Sequence, residues 1–216
     1  MSSFLVDDRG VAGDRTQALF DTFKESPRRL TVRQVARMLA WRADYGGDEA
    51  ISPGAPPLPS ITGPDGAVYD WDDPALVAAL AADLGREVAL RRDVGGQQDL
   101  LRSILVTTQA TLDALSEELG RPMDLRRFRT NIHVELDAEP FAEESWEGGT
   151  LTVGDAELNL LHPCVRCVIP TRDPDTAKKD PEILRHLARE HGTLFGINAR
   201  ATEPARIAVG DPVSVE

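Results

Sequence analysis

The sequence predicts a mixed α+β fold dominated by β-structure, of barrel or sandwich type. Two observations carry this. Short runs of β-branched and apolar residues recur along the chain between Gly and Pro turns, and helical spacing is confined to a few short segments. The chain has 216 residues, 41% apolar and 28% charged, so it can bury a core and is not disordered as a whole.

The expected strands are Ala18–Asp21, Met38–Ala43, Ala67–Trp71, Glu87–Arg91, Ser103–Thr107, Ile132–Leu136, Glu157–His162, Arg166–Thr171, Leu194–Ala199 and Arg206–Val209. Ile51 to Gly66 is rich in Pro and Gly and reads as a loop. A first helix is marked by Asp73 as N-cap, Pro74 at its first position, Leu76, Leu80 and Leu84 on one face, and Gly85 as its stop. A second starts near Thr108, carries Leu112, Leu115 and Leu119, and stops at Gly120. A third has Asp180 as N-cap, Pro181, Ile183, Leu184 and Leu187, and stops at Gly192. Each runs about three turns and needs tertiary packing to persist. Val153-Gly154-Asp155 and Val209-Gly210-Asp211 echo one another as tight turns. A break near Gly95-Gly96 divides the chain roughly in half.

Charge narrows the function. Lys and Arg number 24 against 36 Asp and Glu, a net charge of −12. That argues against coating nucleic acid or anionic lipid, but leaves room for a local basic pocket holding one small anion. No uncharged stretch approaches a bilayer span, and Met1 to Asp8 has neither a basic start nor a long apolar run, so the expected location is cytoplasmic.

Cys164 and Cys167 are the only cysteines, too few for a disulfide framework. A lone Cys-x-x-Cys permits several readings. It could be a dithiol couple, although its flanks are strand-like rather than helical. It could be half of a zinc site completed by His162 and His133, or two structural cysteines. Arg166 between them weighs toward a soft sulfur beside an anion clamp, a pairing that suits a transition metal. Gly13-Asp14-Arg15 and Arg127-Phe128-Arg129-Thr130-Asn131 place further arginines in turn-like contexts.

These motifs fall in a recognisable order: Gly13-Asp14-Arg15, Leu30-Thr31-Val32-Arg33, Arg127 to Ile132, Pro140 to Trp146, Val153 to Leu158, Pro163-Cys164-Val165-Arg166-Cys167, Asp173-Pro174-Asp175-Thr176, Leu194-Phe195-Gly196 and Val209 to Val213. The order resembles the MOSC family, named for the C-terminal domain of molybdenum cofactor sulfurases. It is most similar to the branch of the mitochondrial amidoxime-reducing component and its bacterial relatives.

The resemblance implies a MOSC β-barrel at 96–216, preceded by a smaller N-terminal β-rich domain at 1–95. It implies that this domain lacks its first strand, since Met1 stands shortly before Gly13. The implied ligand is the molybdenum cofactor, molybdenum held by a phosphorylated pterin. Cys167 takes the place of the molybdenum ligand. Arg129 and Asn131 match residues holding the pterin, Arg15 an arginine near its phosphate, and Val165 a contact beside the ligand. Arg166 joins them as an anion-binding group, and Asp173 is the candidate for catalytic proton work. The implied function is an oxidoreductase that reduces N-hydroxylated or S-oxidised small molecules. Its electrons come from a separate donor protein, because no ferredoxin-type cysteine cluster is present. The alternative is a carrier of the cofactor or of sulfur, without turnover of its own. Three positions depart from the usual pattern: Thr130 stands for proline, Ala177 for glycine, and Pro170 removes a backbone donor beside the motif.

Overall fold

The computed structural model describes residues 3–7, 10–11, 17–21, 28–46, 57–92 and 103–216. In chain order the first half holds β1 (Ser3–Asp7), β2 (Gly10–Val11), β3 (Gln17–Asp21), β4 (Arg28–Leu30), β5 (Arg42–Asp44), β6 (Ser60–Thr62), β7 (Val68–Asp70), α1 (Pro74–Leu84) and β8 (Val88–Arg92). The second half holds β9 (Ile104–Thr108), α2 (Gln109–Glu118), β10 (Ile132–Val134), β11 (Thr150–Val153), β12 (Ala156–Val165), α3 (Glu182–Glu190), β13 (Leu194–Ala201), β14 (Ala205–Ala208) and β15 (Val213–Val215). The fold is mixed α+β and β-dominated.

The main sheet has the order β10-β9-β13-β12-β11-β15, curled toward a barrel. Only β9 and β10 pair in parallel; the other neighbours are antiparallel. Alternate residues face inward. Ile104, Val106, Leu151, Val153, Leu158, Leu160, Ile197 and Ala199 fill the core, each at most 3% exposed. β1 pairs with β14, and its Val6 lies in this same core, so the first strand packs with the second half of the chain.

Outside the sheet, Leu112, Leu115, Met123, Phe128, Ile183, Leu187 and Phe195 form a second apolar cluster. It seats α2 and α3 against β9 and β13. Between β3, β4, β8 and α1 lies a third, built on Leu19, Leu30, Leu76, Leu80, Leu84 and Val88.

The helices follow their signals. Asp73 accepts the Ala75 N–H at 2.8 Å, and Gly85 closes α1 with φ +66°. Thr108 caps α2 through the Thr111 N–H at 3.2 Å. Asp180 accepts from Glu182 at the start of α3. Gly154 and Gly210 both take positive φ in tight turns.

Several expected strands are different. Arg166–Thr171 is not a strand: β12 ends at Val165 and the chain turns into a 3-10 helix at Ile169–Thr171. Pro170 suits that turn, having no N–H to give a ladder. The first half of Met38–Ala43 belongs to a 3-10 helix at Ala36–Ala40, with β5 beginning after Trp41. The Pro-rich stretch read as a loop contains β6. The break near Gly95-Gly96 lies outside the described residues.

Candidate functional site

The cysteine motif sits where β12 loses regularity. Its register against β13 shifts between Leu160 and Pro163, and again between Pro163 and Val165. A proline in a ladder forces such a slip. On the partner strand Gly196 has φ +79°. A Cβ there would lie 2.6 Å from the Val106 carbonyl oxygen, so only glycine fits. Cys164 lies in this irregular end of β12 and Cys167 just beyond it, both as free, half-buried thiols. Val165 between them is 70% exposed.

Arg166 lies just beyond the strand and joins three segments. Its backbone N–H donates to the Thr193 carbonyl at 2.8 Å. Its guanidinium donates to the Phe128 carbonyl at 2.7 Å and to the Cys164 Sγ at 3.2 Å, and stands 5.6 Å over the Phe128 ring. Phe128 in turn stacks on Phe195 at 3.8 Å. The Arg166 Nε is buried with no partner among the described residues. So the anion clamp expected of Arg166 is a guanidinium that meets a carbonyl and a sulfur, with one buried nitrogen unpartnered among the described residues.

The second arginine motif follows a 3-10 helix at Leu125–Phe128, capped by the Asp124 carboxylate. Arg127 is nearly buried. It donates to the Pro170 carbonyl and, at 2.8 Å, to Asp173. Arg129 turns the chain with φ +54°; its side chain is exposed, and among the described residues its guanidinium has no partner. Asn131 is tied into the sheet: its Oδ1 accepts the Leu105 N–H at 2.9 Å and its own N–H donates to the Leu105 carbonyl. Thr130 meets Thr107 at 3.1 Å, and Thr107 meets His133 Nδ1 at 2.8 Å. Burial pushes the His133 imidazole below its usual range, favouring the neutral ring.

Thus the structure brings Arg127, Arg129, Asn131, Val165, Arg166, Cys167 and Asp173 onto two contiguous stretches that bridge one another at Arg166–Phe128 and Arg127–Asp173. Arg15 lies outside the described residues. Neither His133 nor His162 joins the cysteines in a metal-spaced group of three among the described residues. His162 Nδ1 instead meets Asn198 Nδ2 at 3.3 Å, and Asn198 accepts from Ser103.

Asp173 is an organiser of its loop. Its Oδ1 accepts the Thr176 N–H, the Thr176 hydroxyl and the Asp175 N–H, while Oδ2 accepts from Arg127. The Thr176 bonds, above all, hold its carboxyl below the usual range. A carboxylate so occupied is suited to holding a loop more than to delivering a proton. Ala177, where the family pattern has glycine, takes φ +58°.

Sequence reading placed Arg127 among the motif arginines but gave no role to Phe128 or Asn198. Phe128 and Phe195 stood as isolated aromatics in two motifs, and only the fold stacks them.

The residues present suit an anionic pterin bearing a soft metal. Two thiols are free, one guanidinium is open, and a second guanidinium has a buried N–H to spare.

The chain is similar to known proteins over its second half. Residues 92–214 match the MOSC domain. Over 122 residues, 50% of this chain, the sequence is 33% identical to mitochondrial amidoxime-reducing component 1 of Homo sapiens, of which it covers 35%. Over 142 residues, 60% of this chain, it is 31% identical to molybdenum cofactor sulfurase of Drosophila grimshawi, of which it covers 18%. Each aligned region is therefore a minor part of the relative's length. Among solved structures, YiiM from Geobacillus stearothermophilus is similar over 52% of this chain and 53% of its own, at TM-score 0.41 and 17% identity. Since the matched domain spans more than half of the sequence and contains both cysteines, the chain belongs to the MOSC domain family.

Proposed function

We propose that this chain holds a molybdenum-pterin cofactor and reduces N-hydroxylated or S-oxidised small molecules, drawing electrons from a separate protein. The observation that carries the reading is the bridging of the two motif stretches through Arg166 and Phe128, which sets a free thiol and an unpartnered arginine on one connected framework.

In this reading Cys167 is the metal ligand. Arg129, Asn131 and Val165 hold the pterin, with Arg15 toward its phosphate. When bound, the cofactor supplies two-electron redox chemistry. The chain's own work is positioning. Arg127 fastens the Ile169–Thr171 turn by its hold on Pro170 and Asp173, which fixes the exit of the cysteine segment. Arg129 brings positive charge at no cost in broken ion pairs. Reduction of an N–O or S–O bond takes two electrons and two protons and releases water. With the Asp173 carboxylate occupied, the protons come from solvent at the exposed face beside Val165 and Val168.

One contact favours the carrier reading. Arg166 donates to Cys164, the sulfur that is not the implied ligand. A guanidinium beside a thiol is a setting of reactive cysteines.

The test is elemental analysis and oxidised-pterin assay of protein made in a host that synthesises the cofactor. The proposal expects near-stoichiometric molybdenum and pterin, lost in Cys167→Ser and largely kept in Cys164→Ser. Arg129→Ala lowers occupancy. Molybdenum lost only in Cys164→Ser would overturn the ligand assignment. A metal-free protein carrying persulfide would establish the carrier.

A further inference from the structure

Apart from the cysteine motif, Glu118, His186 and His191 converge. Glu118 ends α2, His186 lies within α3 and His191 follows its last turn. The Nε2 atoms of His186 and His191 stand 2.6 and 2.8 Å from one and the same oxygen, Glu118 Oε2. All three potential ligand atoms lie within 4.8 Å of one another. The imidazoles are the buried part of the cluster: the His186 side chain is 8% exposed and His191 15%, against 33% for Glu118. His191 is further fixed by stacking on Phe141 at 3.7 Å.

We infer that Glu118, His186 and His191 form a binding site for a divalent transition ion of the zinc class, bracing α2 against α3. Two imidazole nitrogens and one carboxylate oxygen are the donor set such ions take, with a fourth position left to water. The present spacing is that of hydrogen bonds. Metal–ligand bonds of about 2.0–2.1 Å in a tetrahedron need ligand atoms about 3.3 Å apart, so Glu118 must retreat by about 0.6 Å. It is the exposed member, on a flexible stem, and can do so.

The surrounding charges favour a cation. Burial pushes the Glu118 carboxyl up, but hydrogen bonds from both imidazoles overcome this and hold it below its usual range. Glu190 lies close to both histidines and Glu144 close to His191, so carboxylates surround the cluster. One group opposes. Arg189 donates to His186 Nδ1 at 3.1 Å, which leaves the ring proton on Nε2, where the metal must bind. Arg189 already pairs with Glu190 at 2.5 Å and is 61% exposed, so it can leave His186 without losing its partner. Metal binding therefore moves one proton from Nε2 to Nδ1 on His186, and likewise on His191.

The probe is zinc ion added to chelator-stripped full-length protein carrying Cys164→Ser and Cys167→Ser, which removes the competing thiols. The expected result is one equivalent bound, read by calorimetry, with a rise in melting temperature. His191→Gln and Glu118→Gln, both at partly exposed positions, each weaken binding about tenfold or more. Cobalt substituted for zinc should give a visible spectrum without thiolate charge transfer. Absence of saturable binding by the folded parent would overturn the site. So would unchanged affinity in both single variants.

Discussion

Glu143 offers the sharpest test of the energetics. It is fully buried in the 3-10 helix at Ala142–Ser145. Its Oε2 accepts from the Thr111 hydroxyl at 2.7 Å and the Thr108 hydroxyl at 3.3 Å, while Oε1 has no partner among the described residues. Burial pushes its carboxyl above the usual range; the threonine bonds oppose this but do not cancel it. The folded state therefore holds the Glu143 proton more tightly than the unfolded chain, where the pKa is about 4.3. The sign follows: as pH rises above about 4.3 the unfolded chain gives up this proton first, and stability falls. Each pH unit between the unfolded and folded pKa costs about 1.4 kcal/mol, and the loss levels off above the folded pKa. Glu143→Gln keeps the shape and an oxygen for both threonines, but has no titration. Its amide brings a constant offset of about 1–3 kcal/mol if it finds no acceptor. That offset does not vary with pH, so the informative quantity is the difference in unfolding free energy between the two proteins across pH 4 to 8. The difference should shift toward the Gln protein as pH rises above about 4.3 and level off above the folded pKa. Taking the difference also cancels the opposite slopes of Asp83, Asp124 and Asp175, whose carboxyls are held low by arginine partners. A difference that does not change with pH would refute the reasoning.

Two backbone positions give further expectations. Gly196→Ala should cost about 3 kcal/mol or more, because the new Cβ meets the Val106 carbonyl and Thr107 at a positive φ. A loss below about 1 kcal/mol in denaturant melts would mean the close approach of β13 to β9 is not as described. Ala177→Gly should stabilise: relief of a left-handed alanine is worth about 1–2 kcal/mol, less about 0.4–1 kcal/mol for the freer unfolded chain. A rise of about 2–4 °C in melting temperature checks it, and a fall would show that Ala177 makes contacts outweighing its strain.

Legibility in the sequence followed the range of the forces. α1 was plain because Asp73, Pro74 and Gly85 act within one turn of the helix they bound. The motif order named the family because each motif is local and the list is long. Arg166–Thr171 misled because Val168 and Ile169 are strand formers, whereas the chain turns where Thr171 donates to the Val168 carbonyl. β4, β6 and β15 are three residues each, too short for alternation to register. Glu143 read as part of a polar motif; its burial depends on Thr108 and Thr111, more than thirty residues away. The histidine cluster was invisible for the same reason, since Glu118 lies 68 residues from His186.

The two proposed sites are mechanically adjacent. His191 lies two residues before Thr193, whose carbonyl takes the Arg166 N–H, and Thr193 itself donates back to Leu187 of α3. Arg166 then grips Phe128 and Cys164. A brace between Glu118 and His191 would thus act on the end of α3, and through Thr193 on the backbone that carries the cysteines. Nothing in that path is a side chain free to swing: it runs through two backbone hydrogen bonds and one guanidinium with its charge held over an aromatic ring. Stiffness at the helix end therefore becomes positional accuracy at Cys167, which a single protein thiol needs if it is to be the chain's one bond to a metal.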